Sequence, residues 1–157
     1  MSDIEARALD RIADETDSDA LLNYARNARG KSPTVEQAAL RRLAHVSAKH
    51  APGTVEHACW AMVHTVEATR RLSGRKVFRM NRMRPKIERD GEIAALEYCA
   101  INETDGFREI LDYGMPELTA EAIVLRFPDQ FSEAAKAAAR SRLNQAGIPD
   151  DDLESRK

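Results

Sequence analysis

Hydrophobic positions recur along this chain with the period of an α-helix. The clearest stretch runs from Thr54 to about Leu72, where apolar residues follow the spacing i, i+3, i+4, i+7, i+8 and i+11. These residues are Val55, Ala58, Cys59, Met62, Val63 and Val66. The opposite side carries a second, semi-apolar stripe made of His57, Trp60, Ala61, His64 and Ala68. A helix that is apolar on two sides is normally enclosed by neighbours, so the pattern predicts a central helix.

Three helices are predicted ahead of this central one. The first ends near Thr16, and its expected core-facing residues are Ile4, Leu9, Ile12 and Ala13. The second ends at Gly30, because glycine readily adopts the left-handed conformation that closes a helix. The third begins at Ser32, and Pro33 fits its first turn, where a missing N–H needs no partner.

Shorter helices are predicted after the central one. Pro85 is placed in the first turn of the next helix, since a proline inside a helix costs about 3 kcal/mol. That helix is expected to kink or break at Gly91, and a further one ends at Gly114. Two more are expected over residues 119–126 and 132–145, and the glutamates expected on solvated helix faces are Glu92, Glu97, Glu117 and Glu121. The predicted fold class is all-α, a compact bundle of about seven or eight helices.

Length and composition fit one helical domain. The chain has 157 residues, of which 43% are hydrophobic and 32% charged, as is typical of a globular protein. We expect a single domain over residues 1–147, made of an N-terminal half (1–72), a basic connecting arm (73–86) and a C-terminal half (87–147). Residues 148–157 include three consecutive aspartates and are expected to form a flexible acidic tail.

The sequence also predicts where the protein resides. No apolar run approaches the ~20 residues of a membrane span, and the N-terminus lacks the basic-then-apolar layout of a secretory signal. We therefore expect a cytoplasmic protein without a membrane partner. Cys59 and Cys99 stand in apolar surroundings, which indicates reduced core thiols rather than a disulfide.

Positive charge is concentrated in one window of the sequence. Nine of the 24 Lys and Arg residues lie between Arg70 and Arg89, with Glu88 as the single acidic residue among them. The window carries +8 and the remainder −10, for a chain total of −2. Such segregation is the usual footprint of a polyanionic partner. The candidate nucleic-acid-binding residues are Arg75, Lys76, Phe78, Arg79, Arg82, Arg84 and Lys86.

Arginine suits this role because its planar guanidinium binds phosphate with two hydrogen bonds, and Phe78 offers a ring on which a base can stack. The leading hypothesis is a small non-enzymatic protein that binds the phosphates of DNA or RNA. The alternative is a protein-interaction or regulatory module whose basic arm docks on an acidic partner surface, such as that of a nuclease or replication protein. The arm can also form ion pairs within its own chain, and each exposed pair contributes about 0–1 kcal/mol.

No motif indicates catalysis, a metal or a cofactor. His57 and His64 are about 10 Å apart along a helix that rises 1.5 Å per residue, too far for two bonds to one zinc ion. The sequence contains neither G-x-S-x-G nor a glycine-rich phosphate loop. We therefore expect no catalytic residues, no metal ligands and no cofactor, while an enzyme site assembled from distant residues remains a third alternative.

Three pieces of the sequence carry a resemblance to other proteins. They read S-G-R-K-V-F-R-M-N-R-M-R-P-K, then G-F-R-E-I-L-D-Y-G-M-P-E-L-T-A-E-A-I-V-L-R-F-P-D-Q-F-S-E-A-A, and finally A-R-S-R-L. This stretch, residues 73–143, resembles a widespread, uncharacterised group of small helical proteins of bacteria and phages. The resemblance implies a compact helical unit and attaches no activity to it.

Overall fold

A computed structural model describes residues 2–153 of the chain. Within them lie nine α-helices: α1 (Asp3–Asp14), α2 (Ser18–Ala28), α3 (Pro33–Ser47), α4 (Val55–Leu72), α5 (Met83–Asp90), α6 (Glu92–Ile101), α7 (Asp105–Asp112), α8 (Ala120–Arg126) and α9 (Glu133–Gln145). Three short 3₁₀ turns cover Pro116–Leu118, Pro128–Gln130 and Asp150–Leu153, and these residues contain no β-strand. The all-α class is confirmed. The helix count is higher than predicted because Gly91, at φ +94°, separates α5 from α6 completely.

Side-chain caps fix where several helices begin. In α1, α3, α4 and α9 the hydroxyl of the preceding residue accepts a hydrogen bond from a backbone N–H three positions on, and the capping residues are Ser2, Ser32, Thr54 and Ser132. Each such cap contributes about 1 kcal/mol. Pro33 is the first residue of α3, and Pro85 lies in the first turn of α5, as predicted. Local sequence therefore determines these boundaries.

Helix α4 lies at the centre of the bundle. Eleven of its 18 residues are buried, and it packs against α2, α3, α6, α7 and α8. The predicted central position is confirmed. Neither α4 nor any other helix within residues 2–153 is both long and apolar enough to cross a membrane.

Helix α1 packs less completely than its sequence predicts. Of the four residues expected to face the core, Ile12 is buried and Leu9 partly buried, but Ile4 is 79% exposed and Ala13 is exposed. The expectation is wrong for Ile4 and Ala13 because α1 lies at the edge of the bundle. It packs mainly against α3, so only a narrow stripe of the helix is covered.

Two of the glutamates predicted to be solvated are instead part of the core. Glu117 and Glu121 are each 1% exposed. Arg41 Nε donates to Glu117 Oε2 at 2.8 Å, and Arg142 Nη1 donates to Glu121 Oε2 at 2.6 Å. A buried carboxylate is tolerated when it is paired in this way. Burial nevertheless raises the pKa of Glu121, although the hydrogen bond from Arg142 acts in the opposite direction.

The other two glutamates are partly exposed and also accept hydrogen bonds. Trp60 Nε1 donates to Glu92 Oε2 at 3.2 Å, and the backbone N–H of Ser132 donates to Glu97 Oε1 at 2.6 Å. Trp60 itself is partly buried and packs at the edge of the main core. The polar side of α6 therefore ties neighbouring helices together instead of facing only water.

The C-terminal segment packs on the helical body as far as the structure describes it. Leu153 is buried together with Phe107, Ala122 and Leu143, and Ile148 packs against the same group. Arg126 Nη1 also donates to the carbonyl of Leu153 at 3.0 Å. The segment predicted as a flexible acidic tail, 148–157, thus contains apolar side chains that pack on the helices, namely Ile148 and Leu153. Residues 154–157 lie outside the described residues.

Both cysteines are free and buried, which confirms the prediction of reduced core thiols. Cys59 lies on α4 and Cys99 on α6. Burial raises the pKa of both thiols, that of Cys99 to about 12. Because the thiolate is the reactive form, neither side chain is suited to nucleophilic chemistry in the folded protein.

Candidate nucleic-acid interface

Residues 73–82 join α4 to α5 through turns and irregular backbone without forming a helix. Most of their side chains are exposed, but Phe78 and Met80 are partly buried against the helical body. The last residues of the predicted arm, from Met83 on, already belong to α5. The basic connecting arm expected over residues 73–86 is therefore not confirmed, because its last residues form the start of α5. We call residues 73–82 the basic loop.

Glu67 on α4 accepts hydrogen bonds from the basic loop and from the start of α5. Arg84 donates from Nε and Nη2 to its two carboxylate oxygens at 2.7 and 2.6 Å, and the backbone N–H of Met80 adds a third hydrogen bond at 2.9 Å. Burial acts to raise the pKa of Glu67, but these hydrogen bonds outweigh it, so the pKa lies below its ordinary value. Arg84, predicted as a phosphate ligand, is thus held by a carboxylate of its own chain.

Other cations of the window also find partners within the molecule. Glu109 on α7 accepts two hydrogen bonds from Arg70 at 2.8 Å and one from the half-exposed Arg75 at 3.3 Å. Lys86 and Arg89 both pair with Asp90. Of the predicted binding residues, Arg75 and Lys86 are therefore partly neutralised.

Four cations of the window have no carboxylate partner among residues 2–153, namely Arg71, Lys76, Arg79 and Arg82. The guanidinium of Arg71 lies 5.1 Å from the centroid of the Phe78 ring, so this ring is already covered on one side. All four residues are exposed. The nine cations outnumber Glu88 and the three outside partners, Glu67, Glu109 and Asp90, and five excess positive charges remain.

A cleft of about 700 Å³ adjoins the basic loop. Its walls come from the start of α2, the end of α3, one face of α4, and residues Phe78 and Arg84. The α4 face contributes Trp60, His64, Glu67, Ala68 and Arg71. This cleft is not predicted from the sequence, in which the same stripe reads as a packing surface. The mixture of aromatic and charged residues at helical spacing is the sequence signal that marks it.

Several positive charges converge on His64 in this cleft. Burial lowers the pKa of His64, and the charges of Arg84, Lys49 and Arg79 lower it further, while Glu67 acts in the opposite direction. The Trp60 ring lies beside it, with centroids 6.3 Å apart. The cleft is thus lined by the cations Lys49, Arg71 and Arg84, which follow α3 or lie on α4 and α5. Its lining also includes three carboxylates, those of Asp17, Asp19 and Glu67.

A smaller cavity of about 110 Å³ lies on another side of α4, lined by Arg41, His45, His57 and Glu117 among others. His57 Nε2 is buried there without a hydrogen-bond partner among the described residues, and burial lowers the pKa of His57. Within residues 2–153 no three His, Cys, Asp or Glu side chains lie close enough together to hold a metal ion. His57 therefore lies in this smaller cavity, whereas His64 lies in the larger cleft.

The chemistry of the site consists of exposed arginine and lysine side chains beside an aromatic-lined cleft. The resemblance of residues 73–143 to small helical bacterial and phage proteins stays a prediction. Compared with models of known protein families, with curated proteins and with solved structures, the chain shows no significant match to any of them.

Proposed function

We propose that the protein binds the phosphate backbone of nucleic acid through the basic loop, in the cytoplasm and without catalysing a reaction. The observation that carries the proposal is the group of cations Lys76, Arg79 and Arg82, which are exposed on one loop and have no carboxylate partner within the described residues 2–153. They contribute three of the positive charges in a window that keeps an excess of five, and a surface of this kind attracts polyanions.

The internal ion pairs support this proposal by contrast. Arg70 and Arg84, which are partly buried, each donate two hydrogen bonds to the carboxylate of one glutamate. Like charges left close together raise the free energy of the folded state. A ligand that brings negative charge removes that cost, and phosphate groups match the guanidinium geometry. Contacts to phosphates carry no base information, so we expect binding with little dependence on sequence.

The salt dependence of binding tests the proposal. Three phosphate contacts predict that log affinity for duplex DNA falls with log salt at a slope of about −3, since each contact contributes about −0.9. Changing Arg79 and Arg82 together to Ala should weaken binding and make the slope shallower by about two. Fluorescence anisotropy with a labelled oligonucleotide measures both quantities.

The matched control is the double change Arg7→Ala and Arg11→Ala on α1, where both side chains are exposed. It removes the same net charge at a distant part of the sequence and should leave the slope nearly unchanged. Two outcomes would contradict the proposal: no binding of DNA or RNA at ~50 mM salt, where electrostatic binding is strong, or an equal loss in the control variant.

A second candidate function is supported by Val77. This side chain is 66% exposed in the middle of the basic loop, where it can add apolar contact to a complex with an acidic protein surface. We expect the affinity for phosphate groups not to depend on Val77. A discrete complex that survives nuclease treatment of a lysate, and that Val77→Ser abolishes while nucleic-acid affinity is unchanged, would favour this alternative.

A further inference from the structure

The cleft beside the basic loop has features that binding of a phosphate backbone alone does not require. Trp60 and Phe78 line it, and Arg84 and Arg71 lie over one side of these rings, 5.4 and 5.1 Å from the centroids, so aromatic surface stands next to charge. Lys49 and Arg71 also line it, and neither has a carboxylate partner in the described part of the chain. Its volume of about 700 Å³ lies within the range of pockets that enclose a small organic ligand. Aromatic rings and unpaired cations together are the elements of sites that bind unstacked bases.

We propose that the cleft takes one unstacked nucleotide of a single-stranded nucleic acid, with its phosphate at Arg71 and Lys49 and its base at Trp60. This inference rests on the proposed function, because the remainder of the strand lies on the basic loop. A duplex cannot place a base in the cleft without breaking its pairing and stacking. The site therefore prefers a single strand.

The backbone at Lys49 gives an independent reason to regard the cleft as built for a ligand. Lys49 has φ +57°, the single non-glycine residue with positive φ among those described. The position follows the end of α3, where glycine is the residue that adopts this conformation at least cost. A lysine here keeps an ammonium group at the cleft in spite of the backbone strain, and strain of this kind concentrates at functional sites.

The arrangement of charge also leads from the cleft to the basic loop. Arg71 lines the cleft and covers Phe78, which belongs to the loop. Arg79 follows Phe78 directly in the loop, and its positive charge acts to lower the pKa of His64 in the cleft. A strand with one base in the cleft can therefore continue its backbone across the exposed cations of the loop.

Trp60 provides the test, because it is the only tryptophan of the chain. The probes are a single-stranded pyrimidine oligonucleotide of about 12 nucleotides, within the usual site sizes of single-strand-binding domains, and the duplex of the same sequence. We expect the single strand to quench Trp60 fluorescence and to bind about tenfold more tightly than the duplex, as one stacked base contributes. The duplex should leave the fluorescence nearly unchanged.

Variants of the cleft sharpen the result. The pair Lys49→Ala and Phe78→Ala should weaken single-strand binding about tenfold and duplex binding by no more than about twofold, with Lys31→Ala at another exposed lysine as control. Equal affinity for both forms without quenching would overturn the cleft assignment and leave the proposed function standing. Absence of binding to either form would overturn both.

Two further probes separate a nucleotide in a strand from other anions. A mononucleotide should quench Trp60 weakly, and inorganic phosphate should not quench it. If the mononucleotide binds as tightly as the single strand, the cleft is a site for a free nucleotide and the inference fails. If inorganic phosphate competes as well as the mononucleotide, the base makes no contact and the inference fails as well.

Discussion

Arginines of the helical core and arginines of the basic loop meet opposite surroundings. Arg142 pairs with the buried Glu121 at 2.6 Å and also donates to the backbone carbonyls of Cys99 and Ala100. Arg79, in contrast, is exposed and pairs with no carboxylate that the structure describes. A buried pair cannot lose one partner without leaving a charge in a medium of low dielectric constant. The core arginines are therefore committed to the fold, whereas Arg79 and Arg82 of the basic loop are available to a ligand.

The largest expected effect comes from breaking a core pair. Arg142→Met leaves Glu121 buried without its donor, so we expect the free energy of unfolding to fall by about 3–5 kcal/mol. Urea denaturation followed by circular dichroism measures this change. The matched control is Arg140→Met on the same helix, where the side chain is exposed, and the change should stay within about 0.5 kcal/mol. Similar values for the two variants would remove the distinction between core and surface arginines.

A smaller effect is expected at Glu67, where the two regions meet. Glu67→Gln weakens two charge-assisted hydrogen bonds from Arg84, which should cost about 1.5–3 kcal/mol and loosen residues 73–82 in hydrogen exchange. Because the pKa of Glu67 is lowered by folding, its contribution is complete above its unfolded value of 4.5 and is lost as the pH falls through the lower folded value.

The Glu67→Gln variant should lack the loss of stability that protonation of Glu67 causes at acid pH. Glu88→Gln, at an exposed glutamate of α5, serves as control and should change neither stability nor exchange. Unchanged exchange of the loop in the Glu67 variant would show that this carboxylate does not hold the loop in place.

The smallest effect is expected at Lys49 and has the opposite sign. Lys49→Gly relieves the left-handed strain and should raise the free energy of unfolding by about 1 kcal/mol. Lys49→Ala removes the same ammonium group but keeps a Cβ, so it should not gain this stability. Thermal denaturation of the two variants separates strain from charge. Equal stability of the two would mean that the backbone at this position stores no strain.

Features encoded by neighbouring residues are the ones that the sequence predicts well. Ser32 and Pro33 mark the start of α3, and Gly114 follows the end of α7, because caps and left-handed turns depend on a few adjacent positions. Burial of Glu117 is different, since its partner Arg41 lies 76 positions away in the sequence. A helix face that contains a glutamate looks solvated until the helix opposite is known.

The candidate site likewise has one part that the sequence predicts and another that it does not. The concentration of positive charge in residues 70–89 is visible in composition, but which of those cations are free depends on Glu67 and Glu109, two acids outside the window. The cleft escapes prediction because its walls come from four separate parts of the chain. What the sequence does contain is the mixed stripe on α4, with Trp60 and His64 one turn apart.

The two buried thiols make chemical labelling a measure of opening in this protein. Cys59 and Cys99 sit on different helices, and both must reach solvent and ionise before a thiol reagent can modify them. Their labelling rates therefore report how often α4 and α6 separate from their surroundings. Since the chain has no other cysteine, one introduced into the basic loop would react first and accept a probe while the core stays unmodified.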